Sequence, residues 1–326
     1  MTITVEFNRQ TLPFRTDCFI AGTRCLLSTN SHDILQAASH WRSTRHACGS
    51  SFEMQVVVDS SRGITTERAP YFRGLRHLVF AYVPPRSFLT FDLLRRRVHA
   101  VLSIAAAQDS FFWNSLLIPI TIGILGTTVG VAPLHCACLD RRGSGFLIAG
   151  VSGAGKSTLA TALARQGFAL VSDDWTYMSK QGSALIAHGL SAPIKLLPET
   201  ARFFPELHKL ALKATLNGEL AYELDPRTSF GFEVRSASHP RYIFFLERTP
   251  VPGCHMVPCS PEHVSDFFQR SAERLPDELP EAKAFRKGII QSLSTYPSWI
   301  LRTGESPQIT AQAIDDFLSE AAHAAV

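Results

Sequence analysis

The sequence predicts an α/β domain over residues 106–326, preceded by a small α+β domain over residues 1–105. Three observations carry this. Short apolar β-rich segments alternate with helix-length segments in the second region, the order expected of an α/β sheet. Two later helices open on serine followed by proline, Ser260-Pro261 and Ser306-Pro307; serine caps and proline suits the first helical position. The first hundred residues instead hold scattered β-branched and aromatic runs without a chemical motif. A chain of 326 residues with 45% hydrophobic and 18% charged residues can fill two globular cores.

In chain order, Thr2–Phe7, Phe52–Val58, Leu78–Tyr82 and Ser87–Phe91 read as strands. Ser31 can cap a short helix through Ala38, and Pro84-Pro85 marks a turn. Leu94–Ala107 fits a strand or a helix; periodicity does not decide. The densest basic run, Arg95-Arg96-Arg97, reads as a solvated turn or helix face, and a net charge of +4 gives no reason to expect nucleic acid. Seven cysteines, odd in number and scattered, fit reduced thiols in a cytoplasmic protein. The first seven residues lack the basic start and apolar core of a signal peptide.

Ser110 to Leu139 contains no Asp, Glu, Lys or Arg. A membrane span needs about 20 apolar residues, but Pro119, Gly123, Gly126, Gly130 and Pro133 interrupt this run. A buried helix, a turn and a buried strand are expected, and no membrane partner.

Leu134–Leu139 reads as a strand, Arg142-Gly143-Ser144-Gly145 as a turn and Phe146–Ala149 as a buried strand. A helix from Lys156 to Gln166 is stopped by Gly167. Phe168–Val171 is the next strand, ending in Ser172-Asp173-Asp174. Further strands are expected at Tyr242–Leu246 and Trp299–Leu301.

Between strand and helix stand Gly150, Val151, Ser152, Gly153, Ala154, Gly155, Lys156 and Ser157, followed by Thr158. This matches G-x-x-x-x-G-K-[ST] in the required context. Glycines let backbone N–H groups converge on phosphate oxygens at a helix N-terminus. Lys156 would reach the β- and γ-phosphates of ATP, and the Ser157 hydroxyl would coordinate Mg²⁺.

Asp173 and Asp174 follow Lys156 by 17 and 18 positions. A right-handed crossover to a neighbouring parallel strand would bring them beside the loop. Two carboxylates next to a triphosphate suit a metal holder and a proton acceptor; otherwise they form an exposed turn. Transport-type Leu-Ser-Gly-Gly and GTPase Asn-Lys-x-Asp motifs are absent.

His135, fifteen positions before Gly150, together with the phosphate loop and Leu170-Val171-Ser172-Asp173-Asp174, resembles the HPr kinase/phosphorylase family. That family is similar to phosphoenolpyruvate carboxykinase in the same elements. The resemblance runs from Leu134 to Met178. It implies a P-loop kinase domain of the HPr kinase type that passes phosphate from Mg-ATP to a hydroxyl. His135, Lys156, Asp173 and Asp174 would be its catalytic residues. It further implies that Asp173 is nearer the acceptor and that Asp174, with Ser157, is nearer the metal. Two departures stand out. The Glu-x-x-Gly-x-Gly stretch of HPr-directed members has no acidic counterpart in the segment 188–195, and their Gly-Arg-Asn element is missing. These departures argue against HPr as acceptor and for likeness to divergent members that act on peptides.

Weaker candidates remain. His135 can equally be a core histidine. Lys195 can bind phosphate or acceptor, or be a surface lysine. Asn217-Gly218-Glu219 is most simply a turn, although Glu219 or Glu223 could supply the missing acid. Arg241 or Arg248 could steady the γ-phosphate. His135-Cys136-Ala137-Cys138 and the group Cys254, His255 and Cys259 lack the paired spacing of a structural zinc site. The expectation is therefore a kinase for a serine or threonine hydroxyl in a peptide or protein. A small-molecule hydroxyl kinase and an ATP-binding regulatory module are the alternatives. The oligomeric state is open, a homo-oligomer included.

Overall fold

The computed structural model describes residues 12–39, 41, 50–59, 70–84, 87–190, 192–215, 219–250, 252–271, 279–304 and 306–324. The expected strand at Thr2–Phe7 lies outside them. The protein is a mixed α/β chain that divides into two compact units. One is drawn from Met1–Gly130 with Arg274–Lys283, the other from Val131–Glu273 with Ala284–Val326. The division comes at Gly130, beyond the boundary expected near Ala105. Trp113 explains why: its indole N–H donates to the Ala107 carbonyl at 3.2 Å, and its ring lies 5.1 Å from that of Trp41.

The first unit holds β1 (Phe14–Ile20), β2 (Thr23–Thr29), α1 (His32–Ser39), β3 (Phe52–Asp59), β4 (Tyr71–Leu75), β5 (Leu78–Val83), β6 (Ser87–Asp92) and β7 (Arg97–Ser103). They form one sheet in the order β1-β2-β3-β7-β6-β5-β4. The expected strands at 52–58, 78–82 and 87–91 are present. Leu94–Ala107 is strand and then helix: β7 gives way to α2 (Ile104–Gln108), whose first turn is capped by Ser103 accepting from Ala106 N–H at 3.2 Å. Of the Arg95-Arg96-Arg97 run, the first two residues are a turn, with Arg96 at φ 52°, and Arg97 opens β7, ion-paired to Glu53 at 2.6 Å.

Helical structure continues through α3 (Ser110–Phe112), a π-turn at Trp113–Leu117, α4 (Ile118–Leu125) and a 3₁₀ turn at Gly126–Val129. The π-turn has a local cause. Pro119 lacks an N–H and its ring would strike the carbonyl four residues back; the widened turn, with Ile118 N–H bonded to Trp113 O, relieves that contact. Ser110–Val129 is long and apolar enough to cross a membrane, yet 67% of its most apolar window is buried inside the protein. Gly130 ends it, and a strand follows.

The second unit contains β8 (Ala132–His135), β9 (Ala137–Arg141), β10 (Ser144–Ala149), α5 (Lys156–Arg165), β11 (Ala169–Ser172), β12 (Trp175–Gln181), β13 (Ala184–His188), β14 (Ile194–Leu196), β15 (Leu212–Ala214), β16 (Leu220–Leu224), β17 (Ala237–Ser238), β18 (Pro240–Arg248), β19 (Cys254–Pro258), α6 (Pro261–Ser271), β20 (Ser298–Thr303) and α8 (Pro307–Ala324). α7 (Pro280–Leu293) spans the second break between the units. The main sheet runs β11-β9-β10-β18-β20-β19; beside it are β17-β13-β12-β8 and β14-β16-β15.

Alternation along β10 decides the layers. Phe146 and Ile148 share one core with Leu159 and Leu163 of α5 and Ile314 and Leu318 of α8. Leu147 and Ala149 face the other core, with Val264 and Phe268 of α6 and Ile289 and Leu293 of α7. Each fully buried large side chain here contributes about 1.5–3 kcal/mol, so the sheet is a rigid platform. The proline-led helices are capped as expected, Ser260 Oγ accepting from His263 N–H at 3.3 Å and Ser306 Oγ from Ile309 N–H at 3.4 Å.

One topological expectation is corrected. β11 does not neighbour β10; β9 lies between them, antiparallel to both. β11 therefore still runs in the direction of β10, and their C-terminal ends meet the start of β9 at one rim of the sheet. The stretch 134–139 is likewise two strands, broken at Cys136.

Candidate active site

The phosphate loop leaves β10 and enters α5 through Gly153 at φ +77° and Gly155 at φ +99°, conformations that side chains resist. Lys156 is almost fully buried. Its ammonium donates to Gly150 O at 3.0 Å and Val151 O at 3.4 Å, holding the loop closed on itself. Burial lowers its pKa, opposed by Asp174, Cys136 and Asp173.

The other residues arrive where the chain changes sheets. β8 belongs to the four-stranded sheet and β9 to the main one; a γ-turn centred on His135, with Cys136 N–H bonded to Leu134 O at 3.0 Å, makes the switch. β11 belongs to the main sheet and β12 to the four-stranded one, and that switch falls on Asp173-Asp174. The two crossings are tied together. Trp175 pairs with His135 across the strands, and Thr176 Oγ1 donates to Cys136 O at 2.7 Å while bonding Ser172 Oγ at 2.5 Å.

The carboxylates diverge as neighbouring residues at a strand end do. Asp174 accepts from His135 Nε2 at 2.8 Å, its side chain 57% exposed, and the His135 ring stacks on Trp175 at 5.3 Å. Asp173 turns inward to the Ser157 hydroxyl and the Lys195 backbone, and its Oδ1 is enclosed with no hydrogen-bond partner. This reverses the expected arrangement: Ser157 lies with Asp173, not Asp174. Strand direction alone could not tell which of two adjacent residues faces the helix.

Electrostatics separates the pair. Burial, and then the Asp174 charge, push Asp173 from 3.8 up to about 7, against the Ser157 and Lys195 hydrogen bonds and the Lys156 charge. Partial burial also pushes Asp174 up, but the His135 hydrogen bond and charge, with Lys156 and Lys195, outweigh it and hold the group below its ordinary value. Paired groups driven apart in this way are suited to different chemical tasks. A carboxyl raised on folding contributes stability that is full below pH ~4 and lost as pH rises through ~7.

The hydroxyl of Ser157 and the enclosed oxygen of Asp173 are hard oxygen donors beside a loop with the phosphate-loop sequence pattern, and such donors fit Mg²⁺. Lys195, from β14, faces the pair with its charge as well as its backbone. Arg248 lies on the loop, its Nε donating to Ala154 O at 3.2 Å. Glu223 is ion-paired with Lys213 at 3.5 Å and Arg241 is exposed at the start of β18. Thr215 and Glu219 close a turn through Thr215 N–H to Glu219 O at 2.8 Å; Asn217 and Gly218 lie outside the described residues.

No protein-family model matches the chain, and no curated protein does. Among solved structures, it is similar to the Hpr(Ser) kinase/phosphatase from Coxiella burnetii. The identity is 14%, the match covers 59% of this chain and 93% of that one, and the TM-score is 0.31. Likeness of that degree carries no argument about activity.

A residue that sequence reasoning left unassigned supports the site mechanically. A Cβ on Gly189 would stand 1.6 Å from the Val171 carbonyl oxygen, two residues before Asp173, while Gly189 N–H bonds Ser236 O at 3.0 Å. Gly189→Ala is therefore expected to force the end of β11 aside, costing about 1–3 kcal/mol and weakening Mg-ATP binding with it. Thermal melts and ATP titration check this; unchanged melting and affinity would contradict it.

Proposed function

We propose that this chain is an ATP- and Mg²⁺-dependent kinase that moves the γ-phosphoryl group to a serine or threonine hydroxyl of a peptide or protein. The observation that supports it most is the convergence of two carboxylates with opposite pKa shifts on a complete phosphate loop, one at Ser157 and the other at His135. A module that only binds ATP has no need of an oriented, exposed carboxylate there.

In this reading the loop N–H groups and Lys156 bind the phosphates, and Ser157 with Asp173 holds the metal. Bound Mg²⁺ would supply charge neutralisation at the β- and γ-oxygens. Asp174, fixed by His135, receives the acceptor's proton. The acceptor oxygen forms the new P–O bond, the bond to the β–γ bridging oxygen breaks, and ADP leaves. Transfer of this kind needs positioning and charge more than a strong base, so a carboxylate with a lowered pKa suffices.

The departures in the segment 188–195 and the missing Gly-Arg-Asn element favour an acceptor other than HPr. Labelled ATP offered to an array of serine- and threonine-containing peptides, with purified HPr beside them, tests this. Label is expected on peptide hydroxyls and little on HPr. ATP bound without label on any acceptor would turn the reading to a binding module; stoichiometric labelling of HPr would overturn the choice of acceptor.

A further inference from the structure

We propose that the outer strand of the first unit, β4, is a docking edge for an extended, acidic peptide segment of a partner protein, an inference that does not depend on the ATP reading. β4 ends the seven-stranded sheet, and among the described residues no strand pairs with its other side. Its row of backbone N–H and C=O groups is therefore a template on which another chain can add as a strand.

The cross-strand register shows what surrounds that edge. Tyr71 pairs with Tyr82 and Tyr82 with Phe88; Arg73 pairs with Phe80, and Leu75 with Leu78. These residues share the face of the sheet opposite the buried Val79, Ala81, Leu89 and Phe91. The Tyr82 and Phe88 rings lie 5.0 Å apart, and the Arg73 guanidinium lies 5.8 Å from the centre of the Tyr71 ring. Phe72 is on the core side, in register with Ala81, yet it is 38% exposed; Tyr71 and Leu75 are 53% and 52% exposed. The core thus stops short of β4, which shows apolar side chains to water on both faces. One such side chain would need no explanation. Three on an unpaired strand, beside an aromatic row, are suited to binding.

Charge selects the occupant. Leu93 N–H donates to His77 O at 2.9 Å and holds the β6–β7 turn against the β4–β5 turn. Together the turns present the exposed Arg76, Arg95 and Arg96 at one end of the edge, with Arg73 at its middle. The acid at that end, Asp92, is buried, with Arg95 3.6 Å from it. A second copy of this chain, added antiparallel about the centre of β4, would set Arg73 opposite its own counterpart, and like charges directly opposite are destabilising. A partner with an acid opposite Arg73 and apolar residues opposite Tyr71, Phe72 and Leu75 suits each of them. Read in the antiparallel direction, the pattern is apolar, any, acid, apolar, apolar, preceded by further acids that face the turn arginines. Single-stranded nucleic acid also stacks on aromatic faces beside arginine, but it has no repeating N–H and C=O groups to pair with the edge.

The test uses fluorescein-labelled peptides and the full chain, with anisotropy as the readout. Glu-Glu-Leu-Thr-Glu-Phe-Val fits the antiparallel direction, and its reverse sequence the parallel one. One of the two is expected to bind saturably below about 1 mM, and more weakly as salt is raised. In a peptide added as a strand, one alternate set of amides faces β4 and the other faces water; N-methylation of the first set alone should abolish binding. Arg73→Glu should weaken the acidic peptide about 2- to 30-fold and strengthen a peptide with lysine in place of each glutamate, with melting unchanged. Failure of both acidic peptides to bind, tolerance of N-methylation in both sets, or unchanged affinity in Arg73→Glu would overturn the proposal. Two other results would overturn it by naming a different occupant. Oligothymidylate that displaces the peptide and binds more tightly would assign the face to nucleic acid. A wild-type dimer that Leu75→Glu turns into a monomer would assign it to a second copy.

Discussion

Asp174→Asn is expected to lower phosphoryl transfer by roughly 10²–10⁴-fold while leaving Mg-ATP affinity nearly intact. Asparagine keeps the shape of the carboxylate and loses its charge and its capacity to take a proton. The contact with His135 at 2.8 Å can be kept through the amide oxygen, so the loss isolates chemistry rather than position. Because Asp174 is exposed and directed away from Ser157, the phosphates and metal should bind as before. Single-turnover transfer to a peptide that the wild type labels, measured beside ATP titration, reads both quantities. Full transfer by the variant would leave the His135–Asp174 pair a structural tie between two strands.

Lys156→Ala is expected to weaken Mg-ATP binding about 10- to 100-fold, the scale of a lost charge-assisted hydrogen bond, and to abolish most turnover. The side chain now donates to Gly150 and Val151 carbonyls, a resting contact that phosphate oxygens would replace. The position opens α5 and accepts alanine without a propensity cost, so the fold should persist. Calorimetry on both proteins decides. Equal affinity and equal turnover would remove the loop from the nucleotide site.

The legible parts of this protein are those set by neighbouring residues. The strand–loop–helix at 144–165, the serine–proline starts of α6 and α8 and the stop at Gly167 each follow from a few consecutive side chains and recur in the structure. The β1–β2 hairpin was not legible: Arg15 and Asp17 interrupt the apolar pattern, and the turn places Ala21 at φ 48°, where alanine gives no signal. β12, β13, β14 and β16 depend on pairing across the chain and have no local signature of comparable strength.

At the site, the phosphate loop, the Asp pair and His135 could be named, but not their pairing. Whether Ser157 meets Asp173 or Asp174 depends on where β11 ends and β12 begins, and hence on the two sheet switches that Thr176 ties together. Lys195 could be named only as a weak candidate and Gly189 not at all, because they reach the site from β14 and from a connecting segment, where no spacing rule applies.

The central claim is that the phosphate loop and Asp173 form one Mg-ATP site, and calorimetry of ATP binding near pH 7 tests it most directly. A cation beside Asp173 favours the ionised carboxylate, so a group resting at about 7 must give up protons when Mg-ATP binds. Titrations in two buffers of different ionisation enthalpy, with and without magnesium, should show magnesium-dependent affinity and net proton release in the wild type. In Asp173→Asn the release should vanish and the magnesium requirement should rise. ATP affinity indifferent to magnesium, or proton release unchanged in Asp173→Asn, would contradict the account.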